Sequence, residues 1–459
     1  MEAHLPAFVK KIIATFTDHN WEIYVVGGAV RDLLLGHDPV DWDFTTNAKP
    51  EIILGLFDKA FCDNRFGTVG LTNPQEAKKN YYGKPPVYEI TTFRQETGYT
   101  DHRRPDAVVW GKTIQDDLVR RDFTINAIAL QPTSKPEDFN LIDPHYGQAD
   151  LQKKLIRAVG DPVKRFQEDA LRMMRAVRIA TQLGFQIEPK TFVAIQQNLH
   201  LIDHVSAERC RDELLKLLSY PHAADGYLIL RRAGLAEKIL PEVERGFGVE
   251  QKSPGRHHLW SVGIHSVKAL AACRSDDPIV KLAVLLHDVG KPPTVKKQPD
   301  GTITFYNHEM AGAQITRRIA QRLRFSKKDS QRLVKLVRWH QFTVDERQTD
   351  KAHRRFIRHV GKENLKDILA VRRADRIGGG ARETSWRLER FKQKLIAVQK
   401  QPFSIKDLKI DGHDVMATLH LKPGPAVGQV LKRLFAEVEA DQTKNQKESL
   451  LKRAKQIGK

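Results

Sequence analysis

The period of the hydrophobic pattern changes once along this chain. Up to about residue 150, short β-rich runs alternate with turns, and from Arg165 onward apolar residues recur at helical spacing. Such a chain is neither one sandwich nor one bundle. It folds as α+β, with a mixed sheet and helices first and all-helical regions after. Residues 1–20 read as a helix. WEIYVVGGAVRDLLLG reads as strand, turn, helix: Trp21–Val26 are strand formers, Gly27-Gly28 break the run, and helix formers follow. Further strands are predicted over Asp41–Thr46, Gly67–Leu71 and Val87–Arg94, with a polar loop at NPQEAKKNYYGKPP and a mobile loop over 95–112. RFQEDALRMMRAVRIATQLGF reads as one long helix closing at Gly184, and AERCRDELLKLLS as another. The stretch 241–258 reads as a boundary loop. These patterns divide the chain into a head over 1–150, a helical neck over 151–240, a second helical domain over 251–380 and a helical tail over 381–459.

The composition, 41% hydrophobic and 29% charged, is that of a globular protein. No apolar run reaches the length of about 18 residues that a membrane helix needs, so no membrane partner is expected. The N-terminus shows no signal-peptide core, which predicts a cytoplasmic protein. Cys62, Cys210 and Cys273 are far apart and form no CxxC pair, which argues against a disulfide framework and a cysteine-ligated zinc. The formal charge of +20 favours a polyanionic partner, most commonly nucleic acid.

Asp41 and Asp43, two apart on a predicted strand, would share one face. Paired carboxylates suit Mg²⁺, which takes oxygen ligands and bridges to substrate phosphates. One such ion can lower the pKa of an attacking hydroxyl while another stabilises the departing pyrophosphate. A DxD alone is common. Here Gly27-Gly28 precede a helix, where backbone N–H groups can approach a phosphate, and Arg31 on the first turn adds a charge-assisted contact. The combination GGAVRD then DWDF is far more specific than either part.

These motifs, with RRDFTINAIAL at Arg120–Leu130 and EDALRMMRAVR at Glu168–Arg178, resemble those of the class II tRNA nucleotidyltransferase and bacterial poly(A) polymerase family over about residues 20–220. The resemblance implies a polymerase-β-like head. It implies that Gly28 and Arg31 contact nucleotide phosphates, that Asp41 and Asp43 bind Mg²⁺, and that Asp122 senses the ribose 2′-OH. Arg121 and Asn126 would assist the nucleotide, and Asp169, Arg172, Arg175 and Arg178 would line its site. The implied partners are tRNA, CTP and ATP.

Base choice also follows from chemistry. An ionised Asp accepts and an Arg donates. Cytosine and adenine present an amino donor beside a ring-nitrogen acceptor, whereas guanine and uracil present a carbonyl beside a ring N–H. Asp169 and Arg172, neighbours at i,i+3 on one helix, would therefore match C and A without a template.

RFGTVGL at Arg65–Leu71 resembles the GTV strand of CCA-adding enzymes, and Thr92–Trp110 resembles the loop that full CCA-adding enzymes use to switch from CTP to ATP. No GRRF-type segment of the poly(A) polymerases is present. CCA addition is favoured. The alternatives are poly(A) polymerase and a CC-only or A-only enzyme. Glu89 is a candidate third carboxylate, though a salt-bridged strand residue is the plainer reading.

LAVLLHDVGKP sets His287 and Asp288 on an apolar helix, and a buried His-Asp calls for a partner such as a metal. With His265 before and Asp375 after, the order H…HD…D over about 257–380 resembles the HD phosphohydrolase family. His308 and His340 match the extra histidines of some members. The implied metal is divalent, with Mg, Mn, Ni, Co, Fe or Zn all compatible with imidazole and carboxylate ligands. An alarmone synthetase/hydrolase would place the HD domain first, the reverse of this order. Loss of activity in an RNA-binding relic fits poorly with intact Asp41, Asp43, Asp122, Asp169 and Arg172.

Overall fold

The computed structural model describes residues 5–62, 67–73, 87–97, 107–135, 138–251, 260–399 and 405–458. It forms two compact units, Met1–Glu244 with Arg322–Phe325, and Arg245–Gln321 with Ser326–Lys459. The fold is α+β, a mixed sheet in the first unit and helices in the remainder.

The first unit is built on β1 (Ile23–Val26), β2 (Asp43–Thr46), β3 (Ala60–Cys62), β4 (Thr68–Thr72), β5 (Val87–Thr92), β8 (Ala129–Pro132) and β9 (Phe139–Ile142), with β6 (Arg94–Thr97) and β7 (Ala107–Trp110) forming a separate hairpin. The seven-stranded order is β3-β4-β5-β2-β1-β8-β9, with β2 and β5 parallel and the other neighbours antiparallel. β1 pairs on both edges and all four of its residues are buried, which is why it reads as a continuous apolar run rather than an alternating one.

Strand β2 starts at Asp43, two residues later than the expected Asp41. The ladder begins where Val26, the last residue of β1, faces Asp43. Beyond it the chain turns away at Gly27, φ +75°, and residues 41 and 42 have no partner on that side. Asp41 is left exposed in a bend, and Trp42 is buried. Within the predicted mobile loop, 95–112, residues 95–97 and 107–110 are instead in the paired strands β6 and β7, and 98–106 lie outside the described residues. So do most of NPQEAKKNYYGKPP and Arg65-Phe66 of the GTV segment.

The expected single neck helix is two, Pro162–Glu168 and Leu171–Leu183. Asp169 has extended backbone, φ −143°, and its carboxylate accepts the Leu171 N–H at 3.1 Å. The short acidic side chain satisfies a backbone donor at a helix start, which competes with continuing the helix. Gly184 closes the second helix in the left-handed conformation, φ +66°. The expected boundary loop contains the short helix Pro241–Glu244 and a 3₁₀ turn Arg245–Gly248, while 252–259 lie outside the described residues.

The second unit centres on the helix Pro278–Leu286, every residue of which is buried. An apolar helix without a polar face is a core helix. It ends at Leu286, so His287 and Asp288 occupy the turn that follows rather than the helix itself. Leu286 and Asp288 carbonyls accept from Val289 and Lys291 N–H three residues on, and Pro292-Pro293 have no N–H to extend the ladder. Around it stand helices Val262–Ala272, His308–Arg322, Lys327–Trp339 and Leu365–Gly378. The chain closes with helices Gly412–Leu419, Pro425–Ala440 and Lys447–Ile457 around Val415, Leu434, Val438 and Ala454. Among the described residues no helix is long and apolar enough to cross a membrane.

Candidate functional site

Two clusters stand out, one in each unit. The first forms where β1 gives way to the helix Gly28–Leu34. Gly27 has a positive φ, and a Cβ there would lie 3.1 Å from Asp43 Oδ2 and 3.2 Å from Arg121 Nη1. The glycine thus leaves room for a carboxylate and a guanidinium side by side. Asp43 is in register with Glu89 across β2 and β5, so both side chains lie on one sheet face. Burial pushes the Asp43 carboxyl up, with the charge of Asp41 adding and Arg121 and Arg175 opposing. A cation beside these oxygen donors would relieve that shortage of positive charge.

A hydrogen-bonded chain joins this end of the central strands to the neck. Arg31 donates to Asp32 (2.8 Å) and to Asn126 Oδ1 (3.0 Å). Asn126 donates to Asp122 Oδ1 (3.2 Å), and Arg175 donates to Asp122 Oδ2 (3.0 Å). Burial raises Asp122, but the Arg175 and Arg172 guanidiniums outweigh it and hold its carboxyl below the usual range. Arg120 and Arg121 both grip Asp117, which is wholly buried.

The expected pairing of Asp169 with Arg172 takes a different form. Asp169 follows the end of one helix and Arg172 lies in the next, and each has another partner. Asp169 accepts from Arg209 at 2.8 and 3.2 Å. Arg172 donates to Glu168 (2.5 Å) and to the carbonyls of Arg165 (3.2 Å) and Arg120 (3.1 Å). Arg178 bonds Glu213 (2.6 Å) and Gln182 (3.3 Å) rather than the Asp122 chain. Arg209, Glu213, Glu168 and Asp117 were absent from the sequence expectation. Arg209 and Glu213 lie in AERCRDELLKLLS, whose charged residues nothing in the sequence ties to Asp169 or Arg178.

The second cluster joins His265, His287, Asp288, His308, His340 and Asp375. His265 Nε2 lies 3.0 Å from His287 Nε2 and 3.2 Å from Asp375 Oδ1. Asp288 Oδ2 lies 3.2 Å from His287 Nε2 and 2.6 Å from Lys291 Nζ, and Asp288 Oδ1 lies 3.5 Å from His308 Nε2 and 3.7 Å from His340 Nε2. The four histidines and Asp288 are buried and Asp375 is partly so. In His287, His308 and His340 the Nδ1 atom sits 2.6, 2.8 and 2.7 Å from the carbonyls of Val284, Phe305 and Val337. An Nδ1–H donated outward leaves the Nε2 lone pair facing inward, the arrangement that orients metal-ligating imidazoles. Burial holds His340 down to about 3, with the charge of His287 adding to it. Against burial, Asp288 and Asp375 push His287 up to about 10, so the imidazole carries the positive charge that a cation between these groups would supply. His265, His287 and Asp288 form one potential ligand group, and Asp288, His308 and His340 a second that shares Asp288.

Close backbone approach builds this site. A Cβ on Gly378 would stand 2.6 Å from Ala269 N, so its absence lets the Asp375 helix press against the His265 helix. At Gly290 a Cβ would stand 2.0 Å from the His308 carbonyl.

The first unit therefore has the features of a nucleotidyl-transferring head and neck: an aspartate at the start of a central strand against a glycine turn, with arginines joining that end of the sheet to a helical neck. The Poly A polymerase head domain family model matches residues 23–157, the model for the RNA and SrmB-binding site of polymerase A residues 184–247, and that for tRNA nucleotidyltransferase domain 2 residues 302–454. An A-adding tRNA nucleotidyltransferase of Deinococcus radiodurans is 36% identical over 433 residues, 91% of each chain. A CCA-adding enzyme of Geobacillus thermodenitrificans is 43% identical over 51% of this chain and 55% of its own, so the chain spans about half of that relative. The solved Bacillus stearothermophilus CCA-adding enzyme in complex with CTP superposes with TM-score 0.70 at 28% identity, covering 99% of this chain and 98% of its own. This chain belongs to the class II tRNA nucleotidyltransferase and poly(A) polymerase family.

Proposed function

We propose that this protein adds CCA to the 3′ end of tRNA, one nucleotide at a time, from CTP and ATP and without a nucleic-acid template. The observation that carries this reading is Asp43, set against Gly27 and Arg121 at the start of a central strand, where the helix after Gly27 is tied through Arg31, Asn126 and Asp122 to Arg175 of the neck. In this reading Asp41 and Asp43, with Glu89 beside them, hold Mg²⁺. Mg²⁺ held there would lower the pKa of the attacking hydroxyl and stabilise the departing pyrophosphate. The tRNA 3′-oxygen bonds to the α-phosphorus, the α–β bridging bond breaks, pyrophosphate leaves and the hydroxyl proton passes to solvent. Gly28 and Arg31 orient the phosphates, with Arg121 and Asn126 beside them. Asp122 accepts from the ribose 2′-OH, which selects ribonucleotides. Asp169 and Arg172 read the C or A edge, and Arg175 and Arg178 support them. The tRNA is held by a surface of net charge +20. This chemistry belongs in the cytoplasm.

The Thr92–Trp110 segment favours CCA, as do the CCA-adding relatives. The Deinococcus radiodurans relative, which covers 91% of this chain, is named A-adding, and that favours a second reading, addition of the terminal A alone. Transcripts ending before CCA, after C and after CC separate the two. Extension of all three to CCA by the wild type supports CCA addition. Extension of the CC-ended transcript alone establishes A addition. Asp43→Asn should lower incorporation at least about a thousandfold while tRNA binding persists. Near-normal incorporation by that variant would end the Asp43 assignment.

The second unit is assigned to the HD phosphohydrolases over 251–380, beside a head at 1–150, a neck at 151–240 and a tail at 381–459. His265, His287, Asp288 and Asp375 would hold a divalent metal, with His308 and His340 extending the set toward a second. The inward Nε2 atoms and paired carboxylates fit Mg, Mn, Ni or Co. Such a metal would activate water toward a phosphoester. Water's oxygen bonds to phosphorus, the ester P–O bond breaks, and the proton reaches the leaving oxygen. A 2′,3′-cyclic phosphate at a damaged tRNA end is the substrate this activity would clear.

A further inference from the structure

Beside the histidine–aspartate cluster lies a hollow of about 400 Å³, whose wall includes Asp288, His308, His340 and Asp375. A second hollow of about 600 Å³ adjoins it and shares Asn307, Glu309, Gln341 and Arg372. The outer hollow carries three arginines. Arg372 bonds Asp375 at 3.3 Å and so links the two spaces. Arg376 donates to the carbonyls of Arg382 (3.1 Å) and Thr384 (3.4 Å), bonds that leave its charge unneutralised. Arg387 pairs with Glu346 and stacks on Trp386, with its guanidinium 5.2 Å from the ring centre. The acidic wall residue Glu309 is answered by Arg338 at 3.5 Å. Two large aromatics face solvent here: Tyr306, on the wall of the inner hollow, is 74% exposed, and Trp386, between the wall residues Ser385 and Arg387, is 60% exposed.

We infer that this groove binds a short single strand of RNA, with Arg376 and Arg387 on backbone phosphates, Tyr306 and Trp386 stacked on flanking bases, and the terminal phosphoester over the cluster. The inference rests on reading the cluster as a phosphohydrolase centre and names what that centre accepts. Arg376, its charge unneutralised, and Arg387, shared with Glu346, offer contacts to more than one phosphate, and the paired hollows extend past one nucleotide, so the chemistry favours a strand over a mononucleotide. A basic groove flanked by exposed aromatics is the general solution for single strands, because every base offers a π face. Arg is suited to both parts, since its plane stacks and its fork binds phosphate.

The test uses the full-length protein and a trinucleotide RNA carrying 4-thiouridine and a terminal 2′,3′-cyclic phosphate. On irradiation, a cross-link to Tyr306, Trp386 or their peptide neighbours is expected. Tyr306→Ala should raise KM for hydrolysis of the trinucleotide about tenfold. Arg387→Gln should raise it too and reduce the salt slope of binding by about one ion. For both variants the loss on the trinucleotide should exceed that on bis-p-nitrophenyl phosphate, a diester too small to span the groove. Equal losses on both substrates, or an unchanged KM for the trinucleotide, overturn the groove while leaving the hydrolase reading intact. Cross-links confined to residues 1–244 also overturn it. A groove cross-link with no hydrolysis by the wild type in Mg, Mn, Ni or Co leaves the strand site standing and removes the hydrolase reading instead.

Discussion

Asp169 accepts from Arg209 through both carboxylate oxygens and from the Leu171 N–H through one of them. Both carboxylate oxygens of Asp169 are thus used as acceptors, and a carboxylate has no hydrogen to donate. That is the property base selection requires, because cytosine offers an amino donor where uracil offers a carbonyl. Asp169→Asn replaces one acceptor with a donor and sets an amide N–H₂ against the N–H groups of Arg209. Discrimination of CTP over UTP should fall by about tenfold, the scale of one bidentate edge contact. Incorporation of the two nucleotides measured side by side gives the ratio, and an unchanged ratio removes Asp169 from base reading. Neither Arg209 nor Glu213 was legible in the sequence. Their partners Asp169 and Arg178 lie 40 and 35 residues away, and a periodic pattern gives the face of a helix without naming what that face meets.

At the scale of elements, local signals served well and their limits were local too. Trp21–Leu35 was legible as strand, turn and helix because β1 is an apolar run and Gly27-Gly28 punctuates it. The break at Asp169 was not, because Glu168, Ala170 and Leu171 are good helix formers and only the capping role of one carboxylate divides them. His287-Asp288 was expected on the helix and lies in the turn after it, because the visible helix breakers, Gly290 and Pro292-Pro293, come only after the pair. The histidine–aspartate set itself was named from order alone, and its geometry depends on glycines whose role the sequence concealed. Gly378 is one. Added bulk at this contact has to move Ala269 backbone, part of the same helix as His265. Gly378→Ala should therefore destabilise the protein by about 1–3 kcal/mol, the usual cost of overpacking, and weaken divalent-metal binding by about tenfold or more, the effect of disturbing ligand support. Denaturant melts and metal titration by calorimetry measure the two effects. Wild-type metal affinity in the variant would mean that the close helix approach does not set the position of Asp375.

At the scale of the molecule, the Asp43 cluster lies in one compact unit and the histidine–aspartate cluster in the other. They differ in donor chemistry, carboxylates and arginines in the first, imidazoles and carboxylates in the second, and no residue is common to both. Two reactions served by separate clusters should be separable by mutation. His287→Ala with Asp288→Ala should abolish hydrolysis of 2′,3′-cyclic phosphate and leave CMP and AMP addition to tRNA within about twofold of the wild type. Asp43→Asn should do the reverse. The double variant also deletes two buried, hydrogen-bonded groups, and a metal cluster lost from a core can unfold the surrounding helices, so circular dichroism and a thermal melt come first. If the variant melts early, His287→Gln alone keeps a polar side chain of similar size and supplies the second arm of the test. Cyclic-phosphate hydrolysis at the wild-type rate in either folded variant would show that the histidine–aspartate cluster is not the hydrolytic centre. Loss of nucleotide addition in a folded variant would show that the second unit contributes to tRNA extension itself, and the two chemistries would then have to be treated as one coupled machine.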